Sequence, residues 1–571
     1  MKKRVILLLV FIIGLYILPA VFRPLAAPEE FRCAEIAREM LESGNFQVPK
    51  VIGARFFDQM PMTYWLTAAS FKCFGVHAFS MRFVSILATL LSALLLAWWS
   101  VKQSRSEQTA VNTAFLFLSG SVVCFFGSWS PLHSLSAMWV IAAWVFSAAA
   151  LDSDSLKKRL IYLAASGIAM GCGFLTKGIS AILLPEITVI LTLIWQRRWK
   201  ECFAAAGLPL LTALLTLLPW SLIIHHCEPD FWNYRISSIA GTFSGSNSAR
   251  YTLAILLMLL GVLPGVLPVF FGSSAIKNEI RPQLRNDAGL LFAVCSMTVA
   301  AVFAILSAPA EKFIPYVLPF FGASAAAGSL LLAKADQAKL YGILRNLTSM
   351  CSILFIIAGS LLLLAELFYL LWGTGFIPVL PLKYAVWAPF ITTTALGMVI
   401  AGTAMFVNRN MKFPEPESFF MLFAITALVC VWFYPGFTAN HRMPEYELLE
   451  AGSKLSEKSS TRPRIITTPR LMYSTAWCFR DSSIQLLGSC GEMYYGHRSA
   501  LKNSERPLML TFAETGVLLK KPERKEDILI LMPKEETGKF RQYLPAGKKM
   551  NTSGEICALY YPGYPAGAKK K

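Results

Sequence analysis

Residues 28–43 read PEEFRCAEIAREMLES and are followed by Gly44, and this stretch decides how the fold is interpreted. Its apolar residues recur at helical spacing, which predicts an amphipathic helix that ends at the glycine. Glu29 and Glu30 fall in its first turn, where the helix dipole stabilises carboxylates. Two interpretations stay open: the pair caps a helix lying on the membrane surface or on other helices, or it belongs to an active site. Composition alone favours the first.

The helix lies in a long loop, residues 23–77, between two apolar segments. The chain has 571 residues, of which 55% are hydrophobic and 15% charged, and its mean hydropathy is +0.53. Soluble domains average about 25% charged residues, so the composition predicts an integral membrane protein. The same composition excludes disordered, collagen-like and small disulfide-bonded proteins.

Thirteen apolar segments are long enough for membrane spans, at about 20 residues per crossing. They centre near residues 4–22, 78–98, 110–127, 132–150, 160–176, 178–195, 203–224, 251–272, 289–308, 313–333, 347–372, 385–407 and 416–437. Residues 438–571 alternate short apolar runs with turn residues, which is typical of a small α/β domain. We therefore expect a polytopic membrane domain, residues 1–437, and a soluble domain, residues 438–571.

The distribution of basic residues predicts the orientation. The net charge of +19 does not indicate a nucleic-acid partner, because the basic residues are scattered through short loops. With the amino terminus in the cytoplasm, nineteen Lys and Arg residues fall in seven alternate segments, against five in the opposite short loops. The positive-inside rule then places loop 23–77 and residues 438–571 outside the cytoplasm. Residues 1–22 could be a signal peptide, but no A-x-A-like cleavage site follows, so we expect an uncleaved helix.

Cysteine usage indicates neither a disulfide framework nor a thiolate metal site. Six of the twelve cysteines lie in or beside apolar spans, where a small buried residue is ordinary. A Cys478–Cys490 bridge stays open, although three cysteines in residues 438–571 are an odd number.

Further motifs follow the helix in a recognisable order. After GNFQVPK (44–50), the loop continues with RFFDQMP (55–61) and YW (64–65). Together these resemble the first luminal or periplasmic loop of the polyprenyl-phosphate-dependent GT-C glycosyltransferases of the protein O-mannosyltransferase superfamily. Similar family motifs recur as GFLTKG (173–178), LPW (218–220), EPDFW (228–232) and KFIPYVLP (312–319).

The carboxyl-terminal residues narrow the resemblance. The pairs AW (476–477) and RD (480–481), and above all GEMYYG (491–496), are similar to stretches of the bacterial lipid A aminoarabinose transferase family. Thirteen spans followed by a periplasmic domain is also that family's layout. The resemblance therefore implies a GT-C fold with about thirteen transmembrane helices and a small periplasmic α/β domain.

The same resemblance implies the reaction and its residues. It implies inverting transfer of 4-amino-4-deoxy-L-arabinose from undecaprenyl phosphate to lipid A, at the periplasmic face of the bacterial inner membrane. Displacement at an anomeric carbon requires cations on the leaving phosphate and carboxylates near the sugar or acceptor. The implied catalytic carboxylates are Glu29, Glu30 and Asp58. The implied substrate-binding residues are Arg32, Arg55, Lys177, Lys312 and Tyr316, and the implied ligands of a divalent metal ion are Asp58 and His225.

The sequence also departs from the family pattern. Glu29 stands for an Asp, Gln59 for a Lys, and residues 128–133 (SWSPLH) lack the usual acidic residue. The E-H-x-x-R-F that often follows F-W is absent after Trp232. A phosphate acceptor is already anionic at neutral pH and needs cations more than a base. A carboxylate shifted by the longer Glu29 is then tolerable, so we hypothesise a phosphorylated glycolipid acceptor such as lipid A, with Arg55 partly replacing the Lys that is Gln59 here.

Three other functions stay open. The first is a related GT-C transferase that passes another polyprenyl-linked sugar to a different envelope glycan or protein. The second is a secondary transporter, although transporters place ionisable residues inside their spans and here the carboxylates cluster in one outer loop. The third is a non-catalytic lipid-glycan binder.

Overall fold

The computed structural model describes residues 12–23, 28–129, 131–241, 287–307, 314–334, 444–456, 463–493, 507–521, 524–540, 548–550 and 556–563, with a few isolated positions. The helices are α1 (Leu18–Phe22), α2 (Glu29–Ser43), α3 (Met62–Phe74), α4 (Ala78–Ser104), α5 (Glu107–Leu118), α6 (Ser121–Gly127), α7 (Pro131–Leu151), α8 (Leu156–Lys177), α9 (Ser180–Trp195), α10 (Cys202–Cys227), α11 (Phe231–Gly241), α12 (Ala288–Ser307), α13 (Ile314–Lys334), α14 (Pro444–Ser456), α15 (Met472–Phe479), α16 (Phe512–Lys520) and α17 (Thr537–Phe540). The strands are β1 (Lys50–Val51), β2 (Ala54–Arg55), β3 (Arg464–Thr467), β4 (Gln485–Leu487), β5 (Met509–Leu510), β6 (Ile528–Pro533), β7 (Lys548–Met550) and β8 (Ile556–Tyr561).

The chain forms two compact units. The helical unit comprises residues 1–22 and 82–437, and the α/β unit comprises residues 23–81 and 438–571. The sequence had grouped loop 23–77 with the membrane domain, whereas in the structure this loop shares a core with the carboxyl-terminal residues. The division into a membrane domain and a periplasmic domain stays a prediction.

Helices that could cross a membrane are present in the described part of the chain. Five are long and apolar enough: Ala78–Ser104, Pro131–Leu151, Leu156–Lys177, Trp199–Cys227 and Ala288–Leu306. Two shorter apolar helices are Ser180–Trp195 and Tyr316–Leu331. These seven coincide with predicted spans. The predicted spans 251–272, 347–372, 385–407 and 416–437 lie outside the described residues apart from isolated positions, and the total of thirteen stays a prediction.

The span predicted at 110–127 is broken into α5 and α6. Gly120 has extended backbone, with ψ of 123°. A Cβ at Gly120 would lie 2.8 Å from the ring of Phe321, so only glycine allows this close approach. The carbonyl oxygen of Leu118, left free by the break, accepts hydrogen bonds from the Tyr16 hydroxyl at 2.7 Å and from Cys124 Sγ at 2.9 Å. Side chains therefore satisfy the group that the break exposes.

The helical unit is held together by small residues and hydroxyl contacts. A Cβ at Gly167 would lie 2.2 Å from the carbonyl oxygen of Pro209, and one at Gly171 would lie 2.7 Å from Thr216 Cβ. The two glycines are four residues apart, so α8 and α10 pack in the small-xxx-small manner of membrane helices. Interhelical hydrogen bonds join Ser85 to Ser134, Ser147 to Ser166, Thr113 to Ser329, and Trp144 to Thr188.

The α/β unit is built on a six-stranded sheet in the order β5-β4-β3-β6-β8-β7. The first four strands are parallel, and β8 and β7 are antiparallel to their neighbours. Side chains alternate between the two faces, as the strand period requires. Ile465, Leu529 and Leu531 lie in one core with α2, α3, α14 and α15, whereas Ile466 and Ile530 lie in a second core with α16 and α17. The small α/β fold predicted from the sequence is confirmed.

Helix α2 matches its predicted bounds but is not a surface helix. It ends at Gly44, which has a left-handed φ of 66°. Its apolar residues Phe31 and Met40 lie in the core of the α/β unit, where α2 packs against α3 and α15. The expectation that it lies on other helices is confirmed. Most of its polar side is buried too, which the amphipathic pattern did not predict.

Candidate functional site

The first turn of α2 places its two carboxylates differently. Glu29 is half-buried, whereas Glu30 is completely buried. Glu30 Oε1 accepts a hydrogen bond from Arg23 Nη2 at 2.8 Å in a buried ion pair. The capping interpretation therefore does not account for Glu30, whose charge is balanced by an arginine. Its catalytic role stays a prediction.

Arg32 lies one turn further along α2 and is 8% exposed. Its guanidinium carbon is 6.0 Å from the ring centroid of Phe56 and 5.9 Å from that of Tyr473. The two rings meet edge to face, with centroids 6.5 Å apart. Such contacts hold a guanidinium by cation–π attraction. Tyr473 belongs to α15, and sequence reasoning missed it, since its only signal was its position three residues before the Ala476–Trp477 motif.

A two-stranded hairpin carries the next predicted residues. In its register Lys50 pairs with Arg55 and Val51 with Ala54, so Ile52 and Gly53 form a two-residue turn. Both turn residues are left-handed, with φ of 50° and 75°, as type I′ hairpin turns require. Arg55 ends the second strand and Asp58 follows three residues later, and both are half-exposed.

Glu39 binds this turn from α2, and sequence reasoning missed it. Its two carboxylate oxygens accept hydrogen bonds from the backbone N–H groups of Ile52 at 2.5 Å and Gly53 at 3.2 Å. Burial, with the nearby Glu35 charge, raises the pKa of Glu39 from 4.5 to about 8. The two amide hydrogen bonds act in the opposite direction and favour the charged form.

The charges beside Glu39 are also paired inside the α/β unit. Arg38 Nε donates to Glu35 Oε2 at 2.8 Å, and the same guanidinium binds Glu42, which is exposed. Burial raises the pKa of Glu35, although the Arg38 guanidinium opposes this shift. These side chains leave α2 with few unpaired charges in its middle turns.

The carboxyl-terminal residues pack closely on the hairpin. A Cβ at Gly496 would lie 2.5 Å from the carbonyl oxygen of Arg55, so the last glycine of GEMYYG is required by close backbone contact. A Cβ at Gly53 would similarly lie 3.1 Å from the carbonyl oxygen of Ser482. Cys478 and Cys490 are not joined by a disulfide, so the bridge left open by the sequence does not form here. The motif that narrowed the family resemblance therefore packs directly on a predicted site residue.

The remaining predicted site residues belong to the helical unit. Lys177 is the last residue of α8 and is half-buried, and His225 lies exposed near the end of α10. Tyr316 in α13 is hydrogen-bonded to Ser180, and its ring centroid is 5.7 Å from that of Phe303. Lys312 lies outside the described residues. The structure thus gathers Glu29, Glu30, Arg32, Arg55 and Asp58 in the α/β unit and leaves Lys177, His225 and Tyr316 in the helical unit.

Two further features bear on the functions left open. No group of three or more His, Cys, Asp or Glu residues within the described ranges could hold a metal ion. One carboxylate does lie inside an apolar helix: Glu186 in α9 is 7% exposed, and neither of its oxygens has a hydrogen-bond partner. Buried carboxylates are therefore not confined to loop 23–77, so their placement alone does not exclude a transporter.

Comparison with known proteins decides between a glycosyltransferase and a transporter. The dolichyl-phosphate-mannose-protein mannosyltransferase family profile matches residues 1–235. The undecaprenyl phosphate-α-4-amino-4-deoxy-L-arabinose arabinosyl transferase of Aeromonas salmonicida is 28% identical over 569 residues, covering 97% of this chain and 98% of that protein. The enzyme of the same name from Shewanella sediminis is 30% identical over 498 residues, covering 85% and 86%.

Solved structures agree on the fold. The crystal structure of ArnT from Cupriavidus metallidurans bound to undecaprenyl phosphate superposes with a TM-score of 0.77 at 16% identity, covering 99% of both chains. The apo structure of the same protein gives a TM-score of 0.75. The fold is therefore GT-C, and the protein is a multi-pass membrane protein. With relatives matched over nearly their whole length, the chain belongs to the undecaprenyl phosphate-α-4-amino-4-deoxy-L-arabinose arabinosyl transferase family.

Proposed function

We propose that this protein transfers 4-amino-4-deoxy-L-arabinose from undecaprenyl phosphate to a phosphate group of lipid A, with inversion at the anomeric carbon. The observation that carries the proposal is the grouping of Glu29, Arg32, Arg55 and Asp58 in one folded unit. It is supported by the end-to-end match to relatives that are named for this transfer.

The chemistry follows from the charges of the two substrates. An oxygen of the acceptor phosphate attacks the anomeric carbon while the bond from that carbon to the carrier phosphate breaks. The electron pair of that bond leaves with undecaprenyl phosphate. Because the second pKa of a phosphate monoester is near 6, the attacking oxygen is already anionic at neutral pH. Glu29 then has only to take the proton of the monoanionic fraction, so the longer side chain that replaces the family's Asp is tolerated.

The cations bind the substrate phosphates, and the carboxylates act beside the sugar or hold the site in place. Arg32, beside the rings of Phe56 and Tyr473, presents its guanidinium to a phosphate, and guanidinium groups bind phosphate through paired hydrogen bonds. Arg55 supplies a second cation where Gln59 replaces the family's Lys. Lys177, Lys312 and Tyr316 bind the carrier phosphate. Asp58 is the second catalytic carboxylate beside the sugar, and the buried Arg23–Glu30 pair fixes the first turn of α2.

We also propose an orientation of the protein in the membrane and a bound divalent ion. The protein lies in the bacterial inner membrane, with the α/β unit in the periplasm, as the excess of basic residues in the alternate loops favours. Asp58 of the α/β unit and His225 of the helical unit remain the proposed ligands of a divalent ion. Its other ligands would have to come from water, from substrate oxygens or from the rest of the chain.

A reconstituted assay tests the proposal. The purified protein in lipid nanodiscs receives the undecaprenyl-phosphate-linked sugar and either lipid A or its dephosphorylated form, and mass spectrometry detects the product. We expect transfer to lipid A and none to the dephosphorylated form. Equal transfer to both forms, or transfer only to a hydroxylated peptide, would contradict a phosphate acceptor. A parallel reaction with EDTA reports on the ion, because chelation should slow transfer if Asp58 and His225 bind one.

A further inference from the structure

Glu39 joins two elements that carry site residues, yet it lies seven residues beyond Arg32 on α2 and is nine-tenths buried. We propose that Glu39 is a positioning residue for the transfer: it holds the Ile52–Gly53 turn and thereby fixes Arg55 and Asp58 relative to Glu29 and Arg32. The inference rests on the proposed function, because it assigns a role within that reaction.

Glu39 holds the turn through two hydrogen bonds to its backbone. One carboxylate receives two consecutive backbone N–H groups, from Ile52 at 2.5 Å and Gly53 at 3.2 Å. These N–H groups belong to the two central residues of a tight turn, whose carboxylate partner sits thirteen residues earlier on a rigid helix. The turn is therefore tied to α2 by its own backbone.

The backbone conformation of Ile52 shows why the turn needs these hydrogen bonds. Isoleucine is branched at Cβ, and a φ of 50° is a strained conformation for that side chain. Its side chain is 4% exposed and lies in the core of the α/β unit, so burial selects isoleucine at a position where the backbone favours glycine or asparagine. The strained conformation persists because Glu39 binds the N–H of the same residue.

The turn sets the position of the predicted site residues that follow. Turn type determines strand register in a two-residue hairpin, and here Lys50 pairs with Arg55. The Phe56 N–H donates to the carbonyl oxygen of Pro49 at 2.9 Å and closes the hairpin two residues before Asp58. A slip of one residue would turn the Arg55 side chain to the opposite face. Releasing the turn therefore moves a cation and a carboxylate together.

The simpler alternative is that Glu39 only stabilises the core. The two roles make opposite predictions for a second substitution at Ile52. Ile52→Gly removes a buried side chain, so a core role predicts further loss when it is added to Glu39→Gln. A Gly–Gly turn, however, adopts the left-handed conformation without strain. A positioning role therefore predicts that adding Ile52→Gly to Glu39→Gln restores the transfer activity that Glu39→Gln alone loses.

The experiment measures transfer by the full-length protein in nanodiscs, with the undecaprenyl-linked sugar and lipid A. The variants are Glu39→Gln, Ile52→Gly and the double variant. Glu42→Gln is the matched control, since Glu42 lies one turn further along α2, binds the same Arg38 and is exposed. Hydrogen exchange of the peptide that covers residues 50–57 reports the turn directly, and thermal unfolding reports the stability of each variant.

We expect Glu39→Gln to lower kcat/KM by about 10–100-fold, since small misplacements of reacting groups have effects of this size. Exchange at residues 50–57 should accelerate in Glu39→Gln but not in Glu42→Gln. The double variant should return to within about threefold of Ile52→Gly alone, a coupling that contacting residues show. A Glu39→Gln variant as active as Glu42→Gln would overturn the role, and so would a double variant at or below Glu39→Gln. Wild-type protein without transfer would overturn the proposed function as well, which separates the two failures.

Discussion

The two units bury different kinds of polar group. Among the described residues, the buried charged side chains of the α/β unit are Arg23, Glu30, Arg32, Glu35, Arg38, Glu39 and Asp481. Those of the helical unit are Arg82, Glu186 and Glu228. The helical unit instead buries hydroxyl groups that bond across helices, such as the Ser147–Ser166 pair at 2.9 Å. Charge is thus concentrated in the unit that holds the predicted carboxylates.

This difference indicates that the polar groups of the two units have different roles. A buried charge is costly unless it is paired, and an apolar replacement is often equally stable. Hydroxyl pairs and close glycine contacts, by contrast, are the ordinary means by which membrane helices associate. We therefore expect substitutions of the half-exposed carboxylates of the α/β unit to change turnover, and substitutions at helix contacts of the helical unit to change stability.

The largest effect is expected at the half-exposed carboxylates. Glu29→Gln and Asp58→Asn should each lower kcat by at least about 10²-fold, the scale of general acid–base groups. Their unfolding temperatures should stay near that of wild type, because a helix-end carboxylate contributes only about 0.3–1 kcal/mol. Transfer assays and thermal unfolding of the purified variants measure both. Full activity in both variants would return Glu29 to a capping role.

A smaller effect is expected at Tyr473, where the carboxyl-terminal residues meet Arg32. Tyr473→Leu keeps apolar bulk but loses the ring face, so affinity for the phosphorylated acceptor should fall by about tenfold, in line with cation–π energies. Tyr473→Phe keeps the face and serves as the matched control. Titration with lipid A reports the affinity of each variant. Equal weakening by Leu and Phe would assign the effect to the hydroxyl group instead.

The helical unit should respond through stability. Gly167→Ala places a methyl group against the Pro209 carbonyl, and overpacking of this kind costs about 1–3 kcal/mol. The unfolding temperature should fall, while kcat per folded molecule stays unchanged. Gly207→Ala is the control, because a Cβ there meets nothing within 4 Å. A lower kcat at unchanged stability would contradict the separation between the units.

A pH dependence of stability is also expected, and it arises from Glu39. Burial raises its pKa from 4.5 to about 8, so the folded protein holds a proton that the unfolded chain releases between these values. Linkage then requires stability to fall as pH rises from about 5 to 8 and to level off above that range. Thermal unfolding across this range should show the slope in wild type and a weaker slope in Glu39→Gln. Identical slopes would place the proton elsewhere.

Sequence reasoning recovered what local patterns encode. Hydropathy located seven spans that coincide with helices, and helical spacing with Gly44 gave the bounds of α2. The shared core of loop 23–81 and residues 438–571 could not be foreseen, because contact across some 400 residues leaves no local signal. Glu39 and Tyr473 were missed for the same reason, since their roles depend on the residues they meet. The break at Gly120 depends on Phe321, which lies about 200 residues further along the chain.

The central claim is that loop 23–81 and residues 438–571 form one unit outside the cytoplasm, and thiol labelling tests it most directly. Single cysteines are placed at Asn45 and Lys534 in an otherwise cysteine-free chain that retains transfer activity. An impermeant maleimide is then applied to intact spheroplasts. We predict that both positions label without membrane disruption. If one labels and the other reacts only after lysis, the two segments lie on opposite sides of the membrane and cannot share a core.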